Sequence, residues 1–138
     1  MKKIAGLLFL ISLLTACFDK NGDSGSIGNW IKGKNLSVQA FYLNPGKSPK
    51  ERPSVSVRND SDKNFAVMPL TVTARFKQAG KKERTFKPGE LAGNDQISPQ
   101  KEIMLPGDLF NFDVTASDQL DKLTLSIAGG QEVFTINL

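Results

Sequence analysis

From residue 36 onward, apolar and polar side chains alternate. Leu36, Val38, Ala40 and Tyr42 share one side of a first strand, and Val55 and Val57 mark a shorter second one. Leu70, Val72, Ala74 and Phe76 interleave with Thr71, Thr73, Arg75 and Lys77. The same rhythm returns at Phe110, Phe112 and Val114, at Leu123, Leu125 and Ile127, and at Phe134, Ile136 and Leu138. A period of two is what a strand with one buried face requires, and the β-branched and aromatic residues in these runs suit a pleated surface. No long stripe of helical period interrupts them; a short helix is expected, if anywhere, over 65–70 or 117–120.

Turn residues separate the runs. Asn44-Pro45-Gly46, Asp60-Ser61-Asp62, Gln78-Ala79-Gly80, Lys87-Pro88-Gly89, Leu105-Pro106-Gly107 and Gly129-Gly130 punctuate the chain. Ala128-Gly129-Gly130-Gln131, between two alternating runs, is the strongest hairpin signal. Seven or eight short strands in about 100 residues predict an all-β fold, an antiparallel β-sandwich of transthyretin or immunoglobulin-like type. Its core is expected to include Leu36, Val38, Val55, Val57, Val72, Phe76, Phe110, Phe112, Leu125, Ile127, Phe134 and Ile136.

The N-terminus obeys a different pattern. Met1-Lys2-Lys3 is basic, and residues 4–14 are apolar apart from Gly6 and Ser12. That run is too short to span a bilayer, which takes about 20 apolar residues, and has the proportions of a signal peptide. It ends in Leu14-Thr15-Ala16-Cys17, which holds the sole cysteine of the chain. This tetrad resembles the lipobox of bacterial lipoproteins. The resemblance implies acylation of Cys17 and removal of residues 1–16. The expected organisation is then a signal peptide over 1–16, a lipidated tether over 17–35 and the sandwich over 36–138. Gly22, Ser24, Gly25, Ser26, Gly28 and Gly33 give the 17–35 segment the composition of a flexible tether several nanometres long. Trp30 and Ile31 within it are expected to fold back onto the domain.

Composition narrows the chemistry. Without Lys2 and Lys3 the charge balance falls from 18 basic against 14 acidic residues to 16 against 14, a mature net charge of +2. No dense basic stripe interleaves with aromatics, so nucleic acid is not an expected partner. The chain has no histidine. Its absence removes the commonest general base and metal ligand, any Ser/His/Asp or Cys/His arrangement and the usual structural zinc sites. The reading is of a protein that is not an enzyme, with no cofactor and no metal. With its only cysteine committed to lipid, the fold has no disulfide to rely on.

The strands also carry a resemblance. Residues 36–58 read Leu-Ser-Val-Gln-Ala-Phe-Tyr-Leu-Asn-Pro-Gly-Lys-Ser-Pro-Lys-Glu-Arg-Pro-Ser-Val-Ser-Val-Arg. A strand, Asn-Pro, a polar loop, then Arg-Pro-Ser and a Val-x-Val-Arg strand is similar to the opening of the TssJ family, the outer-membrane lipoproteins of type VI secretion systems. Leu105-Pro106-Gly107 before a strand, two last strands ending in Ile-x-Leu, and the lipobox agree with it. The 59–100 segment differs, having only Phe65, Met68 and Leu70 where that family carries an aromatic-rich helical excursion. The resemblance implies a transthyretin-like sandwich anchored by lipid in the outer membrane and facing the periplasm. It implies a partner, the periplasmic domain of the TssM-like inner-membrane component, contacted through the loop between the first two strands. Here that loop is 44–53, with Asn44, Pro45, Lys47, Lys50, Glu51, Arg52 and Pro53 as the expected partner-binding residues. Ten residues is long for a loop between sheet strands, and three prolines limit its unbound conformations.

Other constellations are weaker. Asp60-Ser61-Asp62 begins like a calcium loop, but Phe65 stands where Gly is needed and Thr71 where Glu is needed; an Asx turn is expected instead. Arg75, Lys77, Lys81, Lys82, Arg84 and Lys87 form a basic cluster across a hairpin, either a surface for anionic headgroups or an acidic partner or edge protection. Asp118 and Asp121 suit turn or cap roles better than a carboxylate pair across a cleft. The functional expectation is a lipid-anchored structural adaptor of a secretion machine. The alternative is a lipid-anchored immunity or inhibitor module that blocks an enzyme in the periplasm.

Overall fold

The alternating runs pair into two sheets whose apolar sides face each other. The computed structural model describes residues 22–42, 53–78, 80–105, 107, 112 and 120–138. The first sheet has the order β1 (Asp23–Ser26), β11 (Glu132–Asn137), β10 (Leu120–Ile127), β6 (Leu70–Phe76) and β7 (Gly80–Phe86). The second has the order β2 (Ile31–Lys32), β3 (Leu36–Phe41), β4 (Ser54–Asn59) and β9 (Glu102–Leu105). A two-stranded ribbon, β5 (Phe65–Ala66) with β8 (Gln96–Ile97), completes the described strands. All pairs are antiparallel except β1 with β11, which is parallel. The fold is the expected all-β sandwich.

Alternation decides which side of each strand is buried. Leu36, Val38 and Ala40 of β3 and Val55 and Val57 of β4 close on Leu70, Val72, Ala74 and Phe76 of β6, Leu123, Leu125 and Ile127 of β10 and Phe134 and Ile136 of β11. Every expected core residue among those described is buried, Phe112 included; Phe110 lies outside the described residues. The Phe112 ring meets Phe76 edge to face with centroids 6.0 Å apart, a favoured geometry for aromatic quadrupoles. The Gly-Gly hairpin also forms. Residues 128–130 form the turn between β10 and β11, in which Ala128 (φ 53°), Gly129 (φ 67°) and Gly130 (φ 94°) are all left-handed, a conformation that costs the two glycines nothing.

Three expectations change. Residues 23–35 are not tether: they form β1, β2 and the turns joining them, and Ile31 is core. The folded domain therefore begins at residue 23, not 36. Between Cys17 and Asp23 the chain spans at most about 20 Å, far less than the several nanometres expected. The helix considered over 65–70 is absent, because β5 pairs with β8 and the Val67 N–H donates to the Asp95 carbonyl at 2.8 Å. Pro69 also disfavours a helical Met68. The one considered over 117–120 lies outside the described residues up to Leu120, which begins β10. The strand at Phe110–Val114 likewise lies outside them, apart from Phe112. Conversely β7, with the sequence Gly-Lys-Lys-Glu-Arg-Thr-Phe, has no alternating apolar residues; it forms by backbone pairing along β6.

The registers give the sandwich two distinct ends. At one, β1 starts opposite Phe134, and the Glu132 side chain at the start of β11 holds the turn before Leu36. At the other, Ser26 lies opposite Asn137, Ile27 N–H donates to the Asn137 carbonyl and Gly28 N–H to the Ala40 carbonyl, each at 2.8 Å. The second end also contains the Phe41/Ser54 and Val55/Leu105 pairs.

Candidate functional site

Of the expected partner-binding residues, Asn44, Pro45, Lys47, Lys50, Glu51 and Arg52 lie outside the described residues, as does Cys17. Pro53 is described and is buried at the foot of β4. It is therefore not part of an exposed surface. The strand ends that the loop joins are well defined: Phe41 and Ser54 are cross-strand partners at the Asn137 end. The start of β1, opposite Phe134, lies about 10 Å from that end along the strands, three residues at the 3.3 Å rise.

The outer side of the four-stranded sheet carries a second cluster. Ile31 turns inward opposite Val38, which leaves Lys32, Ser37, Gln39 and Phe41 facing out. Arg58, on β4 opposite Ser37, lays its guanidinium over the Trp30 ring at 4.3 Å from the centroid. The same Arg58 donates from Nε to Asp60 Oδ1 at 2.6 Å, and the Ser37 hydroxyl donates to Asp60 Oδ2. Burial opposes ionisation of Asp60, but the Ser37 hydrogen bond, Arg58 and Lys32 outweigh it and hold the carboxyl below its ordinary value. Trp30 is thus held by stacking, as expected of a residue folded back onto the domain, yet 38% exposed. Met104, opposite Ser56, faces the same side from β9 and is 54% exposed. Trp30 and Met104 are thus the exposed large apolar side chains of this side, while its serines, Ser37, Ser54 and Ser56, are buried.

The Asp60-Ser61-Asp62 turn folds around Asn59. Asn59 Oδ1 accepts from the Ser61 N–H at 2.9 Å and the Ser61 hydroxyl at 2.6 Å, which is the expected Asx turn displaced by one residue. Asn59 Nδ2 donates to the Lys63 and Ile97 carbonyls at 2.7 and 2.8 Å. Among the described residues no group of three or more Asp, Glu, His or Cys side chains is arranged to hold a metal ion.

The basic hairpin is real, but its residues separate by side. Arg75 and Lys81 are directly opposite each other on the outer side of the five-stranded sheet. Lys82 and Arg84 are opposite Ala74 and Val72, on the side of the buried residues. Arg84 stacks over Phe86 at 4.4 Å and pairs with Glu90 at 3.2 Å. An edge strand with charges pointing inward resists pairing with another chain, so edge protection accounts for this half of the cluster. Asp121 pairs with Arg75 at 3.6 Å, a role in the sheet; Asp118 lies outside the described residues.

Sequence reasoning missed Glu132. It is 6% exposed, and its Oε1 accepts the N–H groups of Asn35 and Leu36 at 3.0 and 3.1 Å. Gly33 makes room for it: a Cβ there would lie 2.5 Å from Glu132 Oε1 and 2.6 Å from Phe134 Cζ. The one available signal was a glutamate at the first position of a strand whose remaining alternate residues are apolar.

Among the described residues no helix is long and apolar enough to cross a membrane. In comparisons with known proteins the chain matches no family model, no curated protein and no solved structure.

Proposed function

We propose that this chain is a lipid-anchored periplasmic adaptor that docks an inner-membrane component of a type VI-like secretion machine to the outer membrane. The observation that carries the reading is the end-to-end polarity of the sandwich. β1 follows the lipobox cysteine by six residues and runs from Phe134 toward Asn137, so the chain enters from the Glu132 side, while Phe41 and Ser54, the feet of the 44–53 loop, are paired at the Asn137 end. A lipid on Cys17 would hold the Glu132 side within about 20 Å of the bilayer. The loop end is then free to meet a partner reaching across the periplasm. The resemblance of residues 36–58 to the TssJ family supports the same arrangement.

The test has two parts. Cys17→Ser should move the protein from the membrane fraction to the soluble periplasm, since acyl chains supply about 0.8 kcal/mol per buried methylene. Retention of the variant on washed membranes would refute lipid anchoring. Density-gradient separation should place the parent protein with outer-membrane markers; recovery with inner-membrane markers alone would refute the outer-membrane assignment. The full chain in neutral detergent is then titrated with the periplasmic domain of the TssM-like component, before and after residues 46–51 are replaced by a Gly/Ser turn. Loss of binding with unchanged stability supports the loop. Equal affinity of both forms refutes the loop assignment, and binding by neither refutes the adaptor reading in favour of an inhibitor module.

A further inference from the structure

The core gives β1 no reason to exist. Its residues, Asp23-Ser24-Gly25-Ser26, bring no apolar side chain, yet they lie along β11 from Phe134 to Asn137 as the one parallel pair of the described strands. Backbone pairing seats them, and glycine lets the fit be close. A Cβ at Gly22 would run into the Val133 carbonyl oxygen, and one at Gly25 would lie 2.6 Å from Ile31 Cγ1. At the end of the pair the Ile27 N–H donates to the Asn137 carbonyl at 2.8 Å, and Asn137 Nδ2 donates to the Gly25 carbonyl at 3.2 Å. Alternate residues of a strand turn their backbone groups to the same neighbour, so the Gly25 and Asp23 backbones face β11 as Ile27 does.

Parallel pairing sets how this strand resists a pull. β1 enters from the Glu132 side, and β11 leaves at the Asn137 end. A force drawing Gly22 and Leu138 apart runs along both strands in opposite senses. It slides one past the other and stretches every bond of the pair at once. No covalent link shares that force, because Cys17 is the only cysteine of the chain. We propose that β1 is a mechanical clamp, which passes tension from the N-terminal segment into the sandwich by shear along β11. The inference rests on the reading above, in which lipid holds Cys17 and a partner engages the 44–53 loop. The feet of that loop are also at the Asn137 end, so a partner pulling away from the membrane loads β1 in the same sense. Covering the β11 edge would be served by a strand of either direction. An antiparallel strand would bring its N-terminus beside Leu138 and be peeled off by the same force.

Single-molecule force spectroscopy tests the clamp. The full chain is made by cell-free translation in neutral detergent, so that Cys17 keeps its thiol and serves as one handle. The second handle is a cysteine added after Leu138, or Gln131→Cys, which is exposed and next to the start of β11. The first arrangement shears β1 against β11; the second peels it from Asp23 onward, bond by bond. The expected rupture force is about threefold higher in shear, because four paired residues are loaded together instead of singly. Gly25→Pro removes a backbone donor and should bring the shear force down to the peeling value. Its Tm should stay within about 5 °C of the parent, since no apolar contact is lost. Asn137→Ala removes only the exposed amide bond to Gly25 and should lower the shear force by less, which keeps the test valid if the proline variant fails to fold. Equal rupture forces with the two handles would overturn the proposal. So would a shear force unchanged in the variants, which would place the resistance in another strand pair. Neither measurement depends on acylation, so failure of the clamp is distinct from failure of the anchoring reading, which the Cys17→Ser fractionation and the partner titration decide.

Discussion

Replacing Glu132 by alanine should destabilise the domain by about 2 kcal/mol. The carboxylate is buried and its Oε1 is the acceptor for two backbone N–H groups, those of Asn35 and Leu36. Leu36 is fully buried, so its N–H would find no water and would cost about 2 kcal/mol. Asn35 is half-buried, and its N–H would cost about 1 kcal/mol. The one methylene that alanine lacks, Cγ, contributes about 0.8 kcal/mol of burial. Against these stands Oε2, which is buried without a partner; removing it returns about 2 kcal/mol of desolvation. Glu132→Gln keeps an acceptor oxygen and should cost only about 1 kcal/mol. The assay is urea unfolding followed by the fluorescence of Trp30, the single tryptophan, which precedes β2. In a thermal scan the alanine variant should lose about 8 °C in Tm. An alanine variant within about 0.5 kcal/mol of the parent, or one no worse than the glutamine variant, would refute the claim that this side chain holds the two sheets together.

Three further outcomes follow from the same geometry. Gly33→Ala places a Cβ 2.5 Å from Glu132 Oε1 and 2.6 Å from Phe134 Cζ, and should cost about 1–3 kcal/mol in urea unfolding; no loss would mean that the turn relaxes freely. Phe112→Ala should cost about 3–5 kcal/mol, given its burial against Phe76, and a change below 1 kcal/mol would remove it from the core. Asp60 has its carboxyl lowered in the folded state, so its contribution is present above the ordinary value of about 3.8 and is lost as pH falls through the folded value. The stability gap between the parent and Asp60→Asn should therefore shrink below about pH 4 in a pH series of unfolding curves; a gap constant down to pH 2 would refute the Arg58–Asp60–Ser37 account.

Alternation determined the fold class and the central part of the core, but not Ile31, Val67, Phe86, Leu91, Ile97, Ile103 or Leu105. It reports, residue by residue, which side of a strand is buried, a property that each segment carries in its own sequence. Thus β3, β4, β6, β10 and β11 could be read directly, and Gly129-Gly130 marked the last hairpin between two alternating runs. The candidate binding loop was legible only as a long, proline-bearing connection, and Pro53, read as part of its surface, is buried immediately before β4. Tertiary structure decided the rest. The β1 sequence Asp-Ser-Gly-Ser has no apolar pattern and is a strand only because β11 supplies parallel backbone partners. Glu132 holds Leu36 across 96 residues of chain, and nothing local to either predicts the other. Which cations share a row depends on register, and register follows from backbone hydrogen bonds between strands distant in sequence. Hence the polarity of the two ends, the short leash and the parallel β1–β11 pair emerge only when the sheets are assembled.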